Sequence, residues 1–260
     1  MKLFRKTRQK LVSKNKTTKY LKYALGEVVL VVVGILIALQ INNWNELRKE
    51  RNREDKFLMS LKADLMVDLE SLDNAIAHRT SKVVCANLLL RPQEIGARSE
   101  VQRADSLITR LLGWIRFVPR TNTLDELIST GNLNIIANDS IKTMLLALRE
   151  KHQEEDIYTE HMRREFDNYL YDRHSKLRQT AAFIDPEASF AASSIIGREP
   201  SDEEIATLAL QTNSFLSDME VRNGLMLASL NNQSFLRNYK KMQANVRTLI
   251  GMIDKELENQ

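Results

Sequence analysis

A chain of 260 residues and 30.0 kDa is long enough for one large domain or two ordinary ones with a packed core. Eight glycines, four prolines and 6% aromatics exclude collagen-like and proline-rich classes, and 43% hydrophobic residues exclude a wholly disordered chain. The single cysteine, Cys85, excludes an intramolecular disulfide framework and a Cys-based zinc site, and the net charge of +4 conceals a strong asymmetry along the chain.

Residues 1–22 carry nine cations, from Lys2 to Lys22, and no acid, so residues 23–260 carry a net −5. The tail lacks interleaved aromatics and any nucleic-acid-binding motif, which argues against a nucleic-acid partner. Val28 to Leu39 is then unbroken apolar sequence, and Tyr23 to Ile41 is interrupted only by Glu27 and Gln40. About 20 helical residues cross a hydrocarbon core of about 30 Å. Tyr20 and Tyr23 on one side and Trp44 on the other stand where interfacial aromatics belong. The reading is an uncleaved signal anchor over 23–43, with residues 1–22 cytoplasmic and 44–260 periplasmic at a bacterial inner membrane. A cleaved signal peptide lacks a small-x-small site near Ala38-Leu39-Gln40, and a buried core element leaves the basic tail unexplained.

Beyond Trp44 no sustained two-residue alternation occurs, so helix is expected throughout. Proline-free segments at about 46–90, 139–183 and 211–257 predict three long helices. The first places Leu58, Leu61, Leu65, Leu69, Leu72 and Ile76 on one stripe, and the third repeats Phe235, Tyr239, Met242, Val246, Leu249 and Ile253 at steps of four and three. Asn138 reads as the cap of the second, and Ser201 with Glu204 as a capping box. Shorter helices are expected at 98–116, 122–130, 187–196 and 201–210. The fold class is all-α: one transmembrane helix followed by an elongated antiparallel bundle, the rod leaving the membrane, returning and leaving again. That course places 92–136 at the distal tip and 184–210 near the bilayer.

The join from Tyr23 to Glu46, preceded by Phe4-Arg-Lys and Lys19-Tyr-Leu-Lys-Tyr, closely resembles the opening of an abundant domain-of-unknown-function family of Bacteroidetes membrane proteins. Leu124 to Asn138 is similar to that family's "EL-S-G-L-I-N" segment, and 238–257 is loosely similar. The resemblance implies a single-pass inner-membrane protein with a helical periplasmic region, and carries no assigned activity. Where relatives tend to have paired aromatics after the second motif, this chain has Leu146-Ala147-Leu148.

Glu154, Tyr158, His161 and Glu165 share a helical face with carboxylate-histidine spacing, but no histidine of that region follows a glutamate by three, so a solvated face is the reading and no metal is assigned. Cys85 reads as a small buried hydrophobe, and no nucleophile elbow or phosphate loop occurs. No catalytic residue, cofactor or small-molecule substrate is inferred. Leu124–Asn138, with Gly131, reads as a helix-turn-helix corner or a binding loop. Glu27 is an acid inside the span, one turn from its cytoplasmic end, within snorkelling reach of water. Glu27, Val31, Gly34, Ala38 and Ile41 step by four and three, placing the carboxylate with a small-xxx-small pair on one face suited to a second helix. The functional expectation is a non-enzymatic scaffold or interaction module contacting membrane lipids and a protein partner or second copy. The alternative is an accessory subunit of an ion-coupled transport or energy-transduction complex using Glu27.

Overall fold

A computed structural model describes residues 17–178 and 200–259, so the basic tail up to residue 16 and the expected helix at 187–196 lie outside the described residues. The described residues form helices α1 (Thr17–Leu89), α2 (Arg98–Leu112), α3 (Asn122–Ser129), α4 (Asp139–Phe166), α5 (Asp172–Leu177), α6 (Asp202–Ser217) and α7 (Met219–Glu258). A 3-10 turn at Asn132–Ile135 precedes α4, and a π-helical segment at Asp167–Tyr171 joins α4 to α5. No strand occurs among the described residues.

Contacts divide the chain into two units, one ending at Lys56 and one beginning at Phe57. In the first unit α1 is long and apolar enough to cross a membrane, and its apolar side chains from Val28 to Ile41 are exposed.

In the second unit α1 buries Leu58, Leu61, Leu65, Asp68, Leu72, Ala75, Arg79, Lys82, Ala86 and Leu89, at alternating steps of three and four. Helix α7 does the same from Val221 through Leu225, Ala228, Asn232, Phe235, Tyr239, Met242, Val246 and Leu249 to Ile253. This spacing turns one face of each helix continuously toward the core. Of the two predicted stripes, Leu61, Leu65, Leu72, Tyr239, Val246 and Leu249 are buried, as is Leu145 on α4, while Leu69 and Ile76 lie on the flank and Asp68 and Ala75 take the central positions.

Three contacts set the direction of α7 against α1: Lys62 Nζ to Asp254 Oδ1 at 2.6 Å, Gln243 Nε2 to Asp73 Oδ1 at 2.5 Å, and Ser229 Oγ to Asn87 Oδ1 at 2.8 Å. Numbers rise on one helix as they fall on the other, so the pair is antiparallel. Helix α4 also opposes α7, through Asn138 to Glu256 at 2.8 Å and Asn238 to Glu155 at 2.6 Å. Helices α1 and α4 are therefore parallel, which corrects the out-back-out course expected from helix lengths.

The return between them is made by the non-helical residues 113–121. Trp114 lies by Lys82, and the Arg120 amide donates to Asp68 Oδ1 at 2.8 Å. Six extended residues cover about 20 Å, matching the roughly 21 Å that fourteen helical residues of α1 rise. Helix α2 accordingly stops at Leu112, short of the expected 116. Residues 92–136 do not share one tip: Ile95 to Leu111 pack with Leu89, whereas Phe117 to Ile136 pack with Leu58 and Ile253. Ile205 to Leu216 likewise join the Leu89 end. The third predicted rod is two helices, because Asp218 ends α6 and caps α7, its Oδ1 accepting from Glu220 N and Val221 N.

Candidate functional site

The two apolar clusters of the bundle are separated along its length by a polar layer. Arg79 and Lys82, one turn apart on α1 and each 1% exposed, lie at the heart of it. Arg79 Nη1 donates to Asn232 Oδ1 at 3.0 Å and approaches Met162 Sδ at 3.6 Å, and its guanidinium lies 4.6 Å from the Phe235 ring centroid. Lys82 Nζ lies 4.5 Å from the Phe166 centroid and 5.2 Å from that of Trp114. Aromatic faces attract cations, so the cage holds both groups away from bulk solvent.

Neither cation forms an ion pair with a carboxylate among the described residues. Burial pushes the Lys82 amine down to about 7, and the charge of Arg79 acts in the same direction. Glu155 is buried on α4, accepts from Asn238 Nδ2 at 2.6 Å, and has its acidity weakened by burial. A groove of about 330 Å³ between α4 and α7 is lined by Lys151, Glu155, Tyr158, His161, Met162, Asn231, Ser234, Phe235 and Asn238. Its floor residues Met162 and Phe235 are the ones that cover Arg79. A much smaller cavity beside it, about 10 Å³, includes Lys82 in its wall.

Two other buried polar groups brace the fold. Arg178 pairs with Asp105, which is fully buried, and donates from Nε to Thr212 Oγ1 at 3.0 Å, tying the end of α5 to α2 and α6. Asp68 is pushed up to about 6 by burial, against the lowering effect of its bond to Arg120 N.

Of the residues singled out beforehand, Glu27, Val31, Gly34, Ala38 and Ile41 lie in α1 within the first unit. Glu27 is half-buried and the other four are exposed; a Cβ built on Gly34 meets nothing within 4 Å. His161 Nε2 lies 3.1 Å from Glu165 Oε1, while Glu154 pairs with Lys151 at 2.6 Å. No group of three or more His, Cys, Asp or Glu side chains is placed to hold a metal among the described residues. Leu124–Asn138 forms a packed corner: Leu124, Leu127 and Ile136 are buried, Gly131 supplies the left-handed turn at φ 70°, and the Asn138 side chain caps α4. Cys85 is buried in the core and burial raises its thiol.

Arg79, Lys82, Asn232 and Glu155 are not evident from residue type, because polar and charged side chains ordinarily face solvent. Their signal was positional. Extending the three-four register of α1 from Leu72 through Ala75 lands on Arg79 and Lys82, and that of α7 lands on Asn232.

A family of unknown function, DUF6090, matches residues 27–183, and the chain belongs to that family. The match begins at Glu27 and includes Arg79, Lys82 and Glu155, while α6 and α7 lie beyond it. No curated protein and no solved structure matches the chain.

Proposed function

We propose that this DUF6090 protein is a signal-anchored, single-pass inner-membrane protein whose helical domain is a non-enzymatic scaffold in the cell envelope. In this reading residues 1–22 are cytoplasmic, 23–43 span the bilayer in contact with lipid, and 44–260 are periplasmic. The observation that carries it is the double use of α1: the helix exposes an apolar run from Val28 to Ile41 and then, from Leu58, turns an apolar face into a bundle core. An exposed run of that length has no stable place in water. An alkaline phosphatase fusion after residue 260 is expected to be active, and a cytoplasmic reporter at the same position silent. The opposite result inverts the topology.

Support for a protein partner comes from the surface of the second unit. Met219, Met226 and Leu230 recur along α7 with exposures of 74%, 54% and 60%. Apolar side chains repeated on one face are a common mark of protein contact. A photo-crosslinking residue at Met226 is expected to capture one discrete protein in cells, and the same residue at exposed Lys240 to capture none. Within the span, Glu27, Val31, Gly34, Ala38 and Ile41 form the proposed contact face for a second helix. A second reading, coupling to ion movement, rests on the carboxylate of Glu27 lying on that face. Loss of function in Glu27→Gln at normal abundance would favour it over the scaffold.

A further inference from the structure

Burying a cation away from water is costly unless an opposite charge or a full set of acceptors compensates it. Arg79 and Lys82 place two such groups one turn apart, each 1% exposed. Arg79 has Asn232 as its acceptor and the Tyr239 hydroxyl as a favourable neighbour, with Nε and Nη2 making no hydrogen bond among the described residues. Lys82 makes no hydrogen bond and no ion pair there; its neighbours are the faces of Trp114 and Phe166. The nearest acids do not supply the missing charge. Glu155 acts on Arg79 from beyond ion-pair distance, and Glu165 is turned to His161 at 3.1 Å and to Asn231 Nδ2 at 2.7 Å.

Lys82 lines a partly open pocket of about 10 Å³, shared with Trp114, Glu165, Gly224, Asn231 and Asn232. Such a space holds one particle of roughly water size. The neighbouring groove, about 330 Å³, shares Met162 and Asn231 with it.

We infer that this cavity is a binding site for a single small monovalent anion of halide size, seated against Lys82 and neutralising the Arg79–Lys82 pair. Water fits the volume but brings no charge to the pair. A carboxylate or phosphate brings the charge but exceeds the space. A halide brings the charge and is the smallest kind of anion that does, and the aromatic and thioether walls suit a polarisable, weakly hydrated ion.

The test uses the full chain purified in detergent, melted at equal ionic strength in sodium gluconate, chloride or bromide. At ten times the Kd, chloride and bromide are expected to raise the melting midpoint by about 3 to 6 °C over gluconate. Lys82→Met is expected to abolish that difference. A wild-type midpoint independent of the anion, or a halide effect that survives in Lys82→Met, overturns the site. Should Lys82→Met fail to fold, crystals of the wild-type chain grown in bromide decide the question. An anomalous bromine peak in contact with Lys82 Nζ supports the inference, and a cavity holding only water, beside a neutral amine, refutes it.

Discussion

Arg79 on α1 and Asn232 on α7 meet across the bundle by a 3.0 Å hydrogen bond, joining polar side chains that both occupy core positions of their helices. The bond is made only when the two helices are antiparallel in this one register, since a shift of either by a turn puts Arg79 against apolar neighbours. A polar pair of this kind specifies alignment at some cost in stability. Asn232→Leu, which leaves the guanidinium without its acceptor, is expected to destabilise the chain by about 3 kcal/mol in urea unfolding. Adding Arg79→Met should recover part of that loss, giving a coupling energy above about 1 kcal/mol. Strict additivity would mean that the bond contributes nothing to alignment.

Gly224 permits the closest approach in the domain. A Cβ there would sit 2.8 Å from Tyr169 Cβ and 3.0 Å from Leu170 Cδ2, in the π-helical segment. In an open helix Gly→Ala stabilises by about 1 kcal/mol. Here the clash is with a Cβ that cannot rotate away, so Gly224→Ala is expected to cost about 1 to 3 kcal/mol. Gly251, with nothing within 4 Å, supplies the control: Gly251→Ala should stabilise. Thermal melts of the two variants should shift in opposite directions.

Leu249 is buried where α7 meets α1 and α4, and Leu230 is exposed on the same helix. Leu249→Ala is expected to cost about 2 to 5 kcal/mol, and Leu230→Ala to change stability by less than about 0.5 kcal/mol. Equal melting midpoints would contradict the assigned face of α7.

Burial holds His78, His152 and His174 down at about 4, against an ordinary 6.5. Between these values the unfolded chain binds more protons than the folded one, so these groups make stability rise with pH from about 4 to about 6.5. Asp68 works the other way. Its carboxyl, raised from 3.8 to about 6, keeps a proton that the unfolded chain releases, so its contribution falls as pH rises through the same range. Glu155, whose carboxyl burial also raises, acts with Asp68, and three histidines against two carboxylates predict a net rise. Asp68→Asn should steepen it and His152→Leu should flatten it, as read from urea midpoints at pH 4.5 and pH 6.5.

Within the apolar run, Gly34→Ile is expected to disrupt association in a membrane-helix dimerisation assay, while Val33→Ile on another face leaves it intact. Equal behaviour of the two would reduce residues 23–43 to a plain anchor.

Helix content, the apolar span and most of the core were legible in the sequence because they follow from local periodicity. Leu61 or Val246 could be placed from the spacing of its neighbours alone. The direction of α4 could not, since it depends on residues 113–121 leaving helical conformation. Gly113 and the aromatic, β-branched stretch Trp114-Ile-Arg-Phe-Val118 were the available hint. The polar layer was missed for a different reason. Charge argues for solvent, whereas register argues for the core, and at Arg79 and Lys82 register prevailed because aromatic rings from α4, α7 and the extended segment closed over them.

The π-helical segment at Asp167–Tyr171 fixes the rotational phase of α5 relative to α4. Buried positions on α4 run Ile141, Leu145, Leu148, Glu155, Thr159, Met162 and Phe166, then continue as Leu170, His174 and Arg178 at uninterrupted steps of four. A plain α-helix with that spacing would drift round its axis by about 40° at each step. Removing one residue, such as Asn168, would let the segment close as an ordinary α-helix and turn the side chains of α5 by about 100°, carrying Arg178 away from Asp105. One inserted residue thus acts as a phase adjuster, letting a single continuous rod present a heptad face to one partner set and a differently aimed face to the next.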